Sequence, residues 1–440
     1  MAIVIVGMLD ERQEALELIC DRIRQRGHET CLIDISVGSG AIVPSVEADV
    51  KPGELAQLAE AGAGVAVSRG DPATTVATEG LRAKVVDMRA AGMVQGIIAI
   101  TGMTGALICL PAMMELPFGV PKVLISGATT QPAHVAKFGD YFSRSDITVM
   151  HSVVDTVGMN ALVRTLATNG AGAIAGMVES GTALTARQKP SVAGTEKPSV
   201  ASTERLSVAV TEFGYVDKGA YHIREALEGE FEIVSIHAMG MGDRAALDLT
   251  PQGLFTAFVD LMPGSFSEHV LGGNRDAGPD RLDVAAGLAI PYIFCPGGFD
   301  MISCGPPERR DSNDALWTSR RIAERKLHVT PPRVQARTSA EEMTETARAV
   351  ADRLNRYQNK ARVKAVIPLR GLSSLSVEGG PLHDPAADAA FAASLKAHLD
   401  AEIEIVEIDT DINDPVFAKA VAEALSRAFI SQQSPKGVLG

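Results

Sequence analysis

The sequence AIVIVGMLDERQEALELICDRIRQRGHETCLIDI, residues 2–35, carries the clearest signal of the fold. An aliphatic run, Ala2–Gly7, is followed by a segment with helical spacing, Asp10–Arg26, and by a second apolar run, Glu29–Ile35. A strand, a helix and a strand in this order predict two parallel strands that are joined by a crossover helix. Gly27 stands at the position where helices commonly end.

The same pattern returns along the chain. Gly96–Ile100 and Val123–Ser126 read as buried strands with a helix between them, and a long helix is expected over 155–177. The length of 440 residues exceeds what one hydrophobic core usually supports, so two domains are expected. A content of 46% hydrophobic and only 4% aromatic residues is typical of parallel sheets that are covered by helices. We therefore expect an α/β protein of two Rossmann-like domains with mainly parallel sheets flanked by helices.

A change of composition marks the boundary between the domains. The octet KPSVAGTE is followed at once by KPSVASTE in a segment rich in Lys, Pro, Ser, Thr and Glu. So short a tandem repeat cannot form a core, which predicts a linker or an exposed loop. The domains are thus expected at 1–184 and 206–440, with the linker at 185–205 and a ligand cleft between the domains. In the second half, a strand is expected near Gly253–Phe258 among others.

Charge and cysteine content limit the classes of partner and the compartment. The formal charge of −13 argues against nucleic-acid and acidic-membrane binding, because both reward basic surfaces. The five cysteines form no CxxC pair, so neither a disulfide framework nor a zinc site is indicated, and a reducing compartment fits. The N-terminus does not read as a signal peptide, and the apolar run 94–114 has a strand–turn–helix rhythm. A soluble, cytoplasmic protein is expected.

Three glycine-containing turns follow predicted strands of the first half. At the carboxyl ends of parallel strands, helix N-termini and free amides converge on anions. The candidate binding residues for a nucleotide phosphate, most of all that of ATP, are Gly7, Leu9, Asp10, Thr101, Gly102, Thr104, Gly105, Ser126 and Thr129. Magnesium is expected with ATP from phosphate chemistry alone. The same small residues also suit tight turns with no ligand, and neither the Walker pattern nor GxGxxG is present.

The second half offers cations and candidate bases on its loops. Arg244, Arg281 and Arg370 could clamp an anionic small molecule, although single arginines on loops are commonly surface residues. His151 and His383 are candidate general bases by residue type and position. Cys304 is a conceivable nucleophile by its loop position. Histidine spacings typical of metal sites are absent from the sequence, so no protein metal site is expected.

The whole chain resembles the family of the ATP-binding region of the tomato mosaic virus resistance protein. The blocks that carry the resemblance are IVIVGMLDER at 3–12, the Gly102 loop, LPFGVPKVLIS at 116–126, DITVMHSVVDTVGMN at 146–160, HAMGMGDRA at 237–245, AGPDRL at 277–282, IPLRGLSSL at 367–375 and GGPLHDPAAD at 379–388. The resemblance implies two Rossmann-like domains, ATP bound in the first, and a homodimer. The glycine-rich loop of that family usually reads GSGGT, and TGMTG stands here at 101–105. The antiviral action is not carried over, because function belongs to a site rather than to a scaffold.

Three functions remain open at this point. The first is an ATP-binding protein whose phosphate loops act with an anionic substrate. The second is a non-catalytic regulator or interaction protein, in which the bound nucleotide biases a dimer or a domain closure. The third is a metabolic enzyme that acts on a small acid without ATP. ATP turnover in the presence of small carboxylates distinguishes the first two.

Overall fold

The computed structural model describes residues 1–62, 72–181 and 206–430. The chain divides into two compact units, Met1–Lys189 and Pro190–Gly440. The expected linker at 185–205 lies outside the described residues.

Strands and helices alternate in the first unit. The elements are β1 (Ala2–Gly7), α1 (Leu9–Gln25), β2 (Glu29–Asp34), α2 (Pro52–Gly62), α3 (Pro72–Ala90), β3 (Val94–Ile100), α4 (Met103–Met114), β4 (Lys122–Ile125), α5 (Val135–Arg144), β5 (Thr148–Met150) and α6 (Ala161–Ser180). The five strands are parallel and lie in the order β2-β1-β3-β4-β5. The order reverses between β1 and β3, and in open α/β sheets ligands bind at such a switch point.

Alternate side chains of these strands enter two different cores. Val4 and Val6 of β1 pack with residues of α2, α3 and α4 on one face of the sheet. Ile3 and Ile5 pack with α1 and α6 on the other face. Because both faces are covered, the strand is apolar at every position rather than at every second one. This explains why IVIV opens the sequence.

The second unit is built in the same way and contains an additional small sheet. Its elements are β6 (Leu206–Glu212), α7 (Asp217–Leu227), β7 (Phe231–His237), α8 (Met241–Leu249), β8 (Ala257–Asp260), α9 (Gly264–Leu271), β9 (Tyr292–Phe294), β10 (Met301–Ser303), α10 (Ala315–Ser319), β11 (Leu327–Thr330), β12 (Arg333–Arg337), α11 (Ala340–Leu354), β13 (Val363–Pro368), α12 (Pro385–His398), β14 (Glu404–Ile408) and α13 (Pro415–Ile430). Six strands form a parallel sheet in the order β14-β13-β9-β8-β6-β7. The remaining three form an antiparallel sheet in the order β10-β12-β11.

The parallel sheets of the two units follow the same strand order. In chain order, the parallel strands of the second unit lie as second, first, third, fourth, fifth and sixth, which extends the order of the first unit by one strand. The second switch point therefore lies between β6 and β8. The prediction of an α/β protein with two parallel sheets flanked by helices is confirmed.

Two elements differ from the sequence prediction. The long helix of the first unit begins at Ala161 rather than at Asp155, because Gly158 has a φ of +70° and Asn160 caps the helix. The side chain of Asn160 accepts hydrogen bonds from the N–H groups of Leu162 and Val163. The strand expected near Gly253–Phe258 lies at Ala257–Asp260.

None of the helices in the described part of the chain is long and apolar enough to cross a membrane.

Candidate functional site

Three of the expected loops meet at one edge of the first sheet. The turns at 7–10, 101–105 and 126–129 follow β1, β3 and β4, which are adjacent parallel strands. Pairing of the Thr101 N–H with the Ile125 carbonyl at 3.0 Å aligns the ends of β3 and β4. We call residues 7–12, 101–105 and 126–129 the carboxyl-edge site.

The carboxyl-edge site contains buried oxygens that lack a hydrogen-bond partner. Among the described residues of the first unit, the buried side-chain polar atoms without a partner are Oδ1 of Asp10, Oγ1 of Thr101 and Oγ1 of Thr129. These side chains are 7%, 3% and 0% exposed. An unsatisfied buried polar atom destabilises a fold. Three such atoms at one edge of the sheet therefore indicate that another group completes their hydrogen bonds.

The other atoms of Asp10 are fixed by neighbouring loops. Its N–H donates to Oγ of Ser36 at 3.2 Å, and its Oδ2 accepts from the Gly40 N–H at 2.9 Å. The preceding N–H, that of Leu9, donates to Oδ1 of Asp34 at 3.1 Å. The carboxylate of Asp10 is therefore held in place with one oxygen left unpaired.

Arg12 is a cation of this site that the sequence analysis did not select. The side chain is only 4% exposed and lies where helix α1 is kinked. Its Nε donates to Oγ1 of Thr156 at 2.7 Å, and its Nη1 pairs with Glu11. A basic residue in the first turn of a helix opposes the helix dipole, and this was the sequence signal that could have identified it.

Gly102 allows Arg12 to approach the loop at 101–105. A methyl group at Gly102 would lie 3.0 Å from Nη2 of Arg12 and would meet no other side chain within 4 Å. Gly7 has a different role, because a methyl group there would lie 2.7 Å from Leu16 of the packed helix. Gly102 thus keeps space beside a guanidinium, whereas Gly7 keeps space for packing.

The remaining candidates of the first unit are more ordinary in their contacts. Thr104 is half-buried in the first turn of α4, and Gly105 packs against the Thr101 side chain. Ser126 is buried, and its Oγ accepts from the Ala128 N–H at 3.2 Å. His151 is exposed, and its Nδ1 accepts from the Val153 N–H at 3.0 Å. His151 therefore lies at the end of the edge strand β5 rather than within the carboxyl-edge site.

An apolar cavity of about 230 Å³ lies beyond the end of β2. Its walls include Ile35, Ser36, Val37, Pro52, Leu55 and Val76. Ser36 also accepts the hydrogen bond from Asp10, so the cavity adjoins the carboxyl-edge site.

Arg281 corrects one expectation. Its side chain is 0% exposed, and Nη1 and Nη2 each donate to an oxygen of Asp260 at 2.7 Å. Nε is bonded to Asp243, and the Tyr292 hydroxyl also donates to Asp260 at 2.6 Å. All three nitrogens of this guanidinium donate to buried groups of the protein. Arg281 therefore stabilises the fold and is not a ligand clamp.

The arginine clamp as a whole is not formed. Arg244 lies half-buried in the first turn of α8, after β7. Arg370 is 65% exposed, follows β13 and donates to both oxygens of Asp409 at 2.7 and 2.6 Å. Four strand spacings of about 4.8 Å separate β13 from β7, so the loops that carry Arg370 and Arg244 leave the sheet roughly 19 Å apart. With Arg281 buried as well, the three arginines do not form one clamp.

Cys304 is not arranged as a catalytic nucleophile, and the role of His383 as a general base stays a prediction. His383 is half-buried, and its carbonyl oxygen accepts from Nζ of Lys326 at 2.5 Å. Burial, together with the charge of Glu268, raises the pKa of the Cys304 thiol to about 12, so the thiolate is not available near neutral pH. Within residues 1–62, 72–181 and 206–430, no group of three or more His, Cys, Asp and Glu side chains could hold a metal ion.

Comparison with known proteins gives a family for both units. Residues 1–183 match the N-terminal domain, and residues 205–429 the C-terminal domain, of the uncharacterised protein family UPF0261. A UPF0261 protein of Clostridium tetani is 31% identical over 431 residues, covering 96% of this chain and 98% of the relative. One from Rhizobium meliloti is 30% identical over 425 residues, with coverage of 96% and 98%.

A plant protein is similar over part of its length. The ToMV resistance protein Tm-1(GCR237) of Solanum lycopersicum is 27% identical over 333 residues, which covers 75% of this chain and 41% of the plant protein. The bacterial relatives, in contrast, match from end to end. The chain therefore belongs to the UPF0261 family over both of its domains.

Proposed function

We propose that the first domain binds ATP as its magnesium complex, with the phosphates at the carboxyl-edge site. The observation that supports this most strongly is the buried guanidinium of Arg12 beside Gly102, together with the unpaired oxygens of Asp10, Thr101 and Thr129. A switch point with a helix N-terminus, free hydroxyl groups and one cation suits an anionic phosphate. The protein then acts as a nucleotide-binding protein, and the unpaired atoms are completed by the ligand.

The charges around Arg12 explain why magnesium belongs to the proposal. Glu11 pairs with Arg12, Asp155 lies 3.5 Å from its Nη2, and Asp10 stands two residues before it. These carboxylates outnumber the cation, so bare ATP would be repelled at close range. Mg²⁺ is usually held by one or two carboxylates and by the phosphates themselves, and the free Oδ1 of Asp10 fits that pattern. When bound, the metal would neutralise phosphate charge.

The apolar cavity beyond β2 is a suitable place for the base of the nucleotide. Its walls are aliphatic, and Ser36 connects it to Asp10. Nucleotide sites at the edge of such sheets extend along the strand ends from the phosphate loops. The sequence resemblance to the ATP-binding region of the tomato mosaic virus resistance protein supports the same ligand.

Thermal unfolding with ligands is the first test. The full chain is heated with ATP, ADP, NAD and small organic acids, each with and without magnesium. At 100 times its dissociation constant, a ligand that binds only the folded protein stabilises it by about 2.7 kcal/mol. A shift with ATP that is larger with magnesium is expected. A shift with an acid and with none of the nucleotides would replace the proposal by that of an ATP-independent small-acid enzyme.

Matched variants then locate the site. Arg12→Gln and Thr101→Val should weaken ATP binding at least tenfold by calorimetry, since each removes one proposed phosphate contact. Arg22→Gln is the control, because Arg22 lies on the same helix, is exposed and donates only to Gln25 at 3.1 Å. If Arg12→Gln, Thr101→Val and Arg22→Gln all bind ATP with equal affinity, the proposed position of the phosphates at the carboxyl-edge site is refuted.

The same samples separate an enzyme from a regulator. Release of inorganic phosphate, measured with and without each acid, reports turnover. Binding without release favours the regulator, whose bound state is what a partner or a second copy recognises.

A further inference from the structure

The three-stranded sheet of the second unit has one apolar face and one polar face. Ile302, Cys304, Val334 and Ala336 pack with Trp317 in a hydrophobic cluster of their own. The residues between them in sequence point the opposite way, because side chains alternate along a strand. The opposite face carries Met301, Ser303, His328, Gln335 and Arg337.

The register of this sheet places three polar side chains in one row. Ser303 of β10 is directly opposite Gln335 of β12, and Gln335 is directly opposite His328 of β11. Arg337 pairs with Met301 one step along the same face. Asp300 directly precedes β10, and Arg275 is joined to β10 through Glu268, which accepts from both Arg275 and the Ser303 N–H. We call this face, together with Asp300 and Arg275, the polar face.

Unpaired buried atoms are concentrated on the polar face. In the described residues of the second unit, seven buried side-chain polar atoms have no hydrogen-bond partner, and five of them lie here. They are Nη1 of Arg275, Oδ1 of Asp300, Oγ of Ser303, Oε1 of Gln335 and Nε of Arg337. Each of these side chains is more than nine-tenths buried. Buried polar atoms are normally satisfied, so five at one place point to a ligand.

The charged side chains of the polar face are held rigidly by their other atoms. Arg275 donates through Nη2 to Oε1 of Glu268 at 2.8 Å, and Glu268 also accepts from the Ser303 N–H at 2.9 Å. Asp300 accepts from Oγ of Ser373 at 2.6 Å. The side chains are therefore fixed, and each leaves one polar atom unused.

The guanidinium of Arg337 is fixed in the same way by its two terminal nitrogens. Its Nη2 donates to Oδ1 of Asp388 at 2.6 Å and its Nη1 to the Leu382 carbonyl at 3.2 Å. Met301 packs with Leu375 and Leu382. The segment that follows β13 thus covers the end of the polar face that carries Met301 and Arg337, at the carboxyl edge where this class of sheet binds ligands.

An aromatic ring borders the polar face. Tyr215, in the loop after β6, is 6.3 Å from the ring of His328 with the planes at 89°. Its carbonyl oxygen accepts from the Ser374 N–H at 2.9 Å, which joins it to the covering segment. The Arg275 guanidinium lies 5.1 Å over the ring of Phe213 in the same loop.

We propose that the polar face of the second domain is a binding site for a neutral polyhydroxy compound, a monosaccharide or a sugar alcohol. The unpaired atoms comprise two guanidinium donors, two acceptor oxygens and one hydroxyl group that can do either. Hydroxyl groups of a sugar both donate and accept, so they complete this mixed set, whereas a carboxylate or a phosphate offers acceptors alone. The site lies in the other domain from the nucleotide site, and its failure would leave the ATP proposal untouched.

The charge of the site favours a neutral ligand over an acid. Two guanidinium groups, those of Arg275 and Arg337, face three carboxylates, those of Glu268, Asp300 and Asp388. Burial raises the pKa of Asp388 to about 6 although Arg337 opposes this, so Asp388 is largely ionised at pH 7.5. The formal charge is then −1, which repels an anion in a buried site.

Calorimetry on the full chain tests the proposal. The probes are aldoses and alditols of three to six carbons at up to 10 mM, which is low enough to avoid the general stabilisation that concentrated polyols cause. D-Gluconate and 1,6-hexanediol are the comparison probes, since the first adds a carboxylate and the second lacks vicinal hydroxyl groups. Saturable binding of at least one sugar or sugar alcohol is expected, with neither comparison probe binding within tenfold of it.

Two variants assign that binding to the polar face. Ser303→Ala and Gln335→Leu each remove an unpaired atom and should weaken binding at least tenfold without lowering the unfolding temperature of the unliganded protein. Ser374→Ala is the control, because this serine is exposed and alanine keeps the N–H that donates to the Tyr215 carbonyl. Absence of saturable binding for every sugar and sugar alcohol, tighter binding of gluconate, or unchanged affinity in both variants would each overturn the proposal.

Discussion

Substituting Gly102 by alanine gives a sharp test of the nucleotide site. Gly102 has φ −85° and ψ −157°, a backbone conformation that alanine also adopts. The added methyl group meets Nη2 of Arg12 at 3.0 Å and Cζ at 3.9 Å, with nothing else of the protein so close. The fold can accept it, because the end of one side chain moves by roughly 0.5 Å to reach an ordinary contact distance.

The expected loss is in binding and not in stability. Displacing Arg12 removes a hydrogen bond between a charged group and a phosphate, which contributes about 1.5–3 kcal/mol. At about 1.4 kcal/mol for each factor of ten, the dissociation constant for ATP should rise roughly 10- to 100-fold. The free energy of unfolding should change by less than about 1 kcal/mol, since alanine also restricts the unfolded chain.

Calorimetric titration of ATP with magnesium, together with urea unfolding, measures both quantities. Gly176→Ala in helix α6 is the matched control, because no atom outside its own helix backbone lies within 4 Å of the added methyl group. This control should bind ATP as the unchanged protein does. If Gly102→Ala binds ATP within twofold of the unchanged protein, Arg12 does not contact the phosphates and the reasoning fails.

Three further predictions concern buried side chains. Arg281→Met should cost about 3–5 kcal/mol in urea unfolding, because it leaves Asp260 and Asp243 charged and buried, whereas Arg370→Met at an exposed pair should cost less than about 1 kcal/mol. Equal losses would mean that Arg281 is not a structural residue. Burial raises the folded pKa of Asp388 to about 6, above its unfolded value, so its contribution to stability is present at pH 4 and is lost as the pH rises through 6. The stability of the unchanged protein relative to Asp388→Asn should therefore fall by about 3 kcal/mol between pH 3 and pH 7, and a constant difference would contradict this. Burial raises the pKa of Cys20 to about 11 and that of Cys304 to about 12. A thiol reagent at pH 8 should therefore modify neither cysteine in the native protein and both cysteines in urea. Rapid labelling of Cys304 in the native protein would refute its assignment as a packed core residue.

The alternation of apolar runs and helical segments was sufficient to predict both sheets. The aliphatic run IVIV could only be a strand covered on both faces, and the turns after it had to lie at the carboxyl edge. The nine residues selected at those turns accordingly lie in the carboxyl-edge site. That they bind ATP stays a prediction.

Long-range pairing explains what the sequence could not reveal. Arg12 is held by Thr156, a residue 144 positions away, so the sequence shows an unusual cation in the first turn of a helix but not the contact that buries it. Arg281 resembles a surface arginine because the sequence does not show that Asp243 and Asp260 approach it from two other segments. The unpaired atoms of Ser303 and Gln335 depend on the register of two strands, which no composition or period specifies.

The three-stranded sheet is an insertion in the crossover between β9 and β13, and this position has an evolutionary consequence. None of the ladder hydrogen bonds of the six-stranded sheet depends on strands β10 to β12, which form a separate sheet. Substitutions at Ser303, Gln335 or His328 can therefore accumulate while the parallel scaffold stays intact. Members of one family could in this way diverge in the compound they recognise while they keep the same fold.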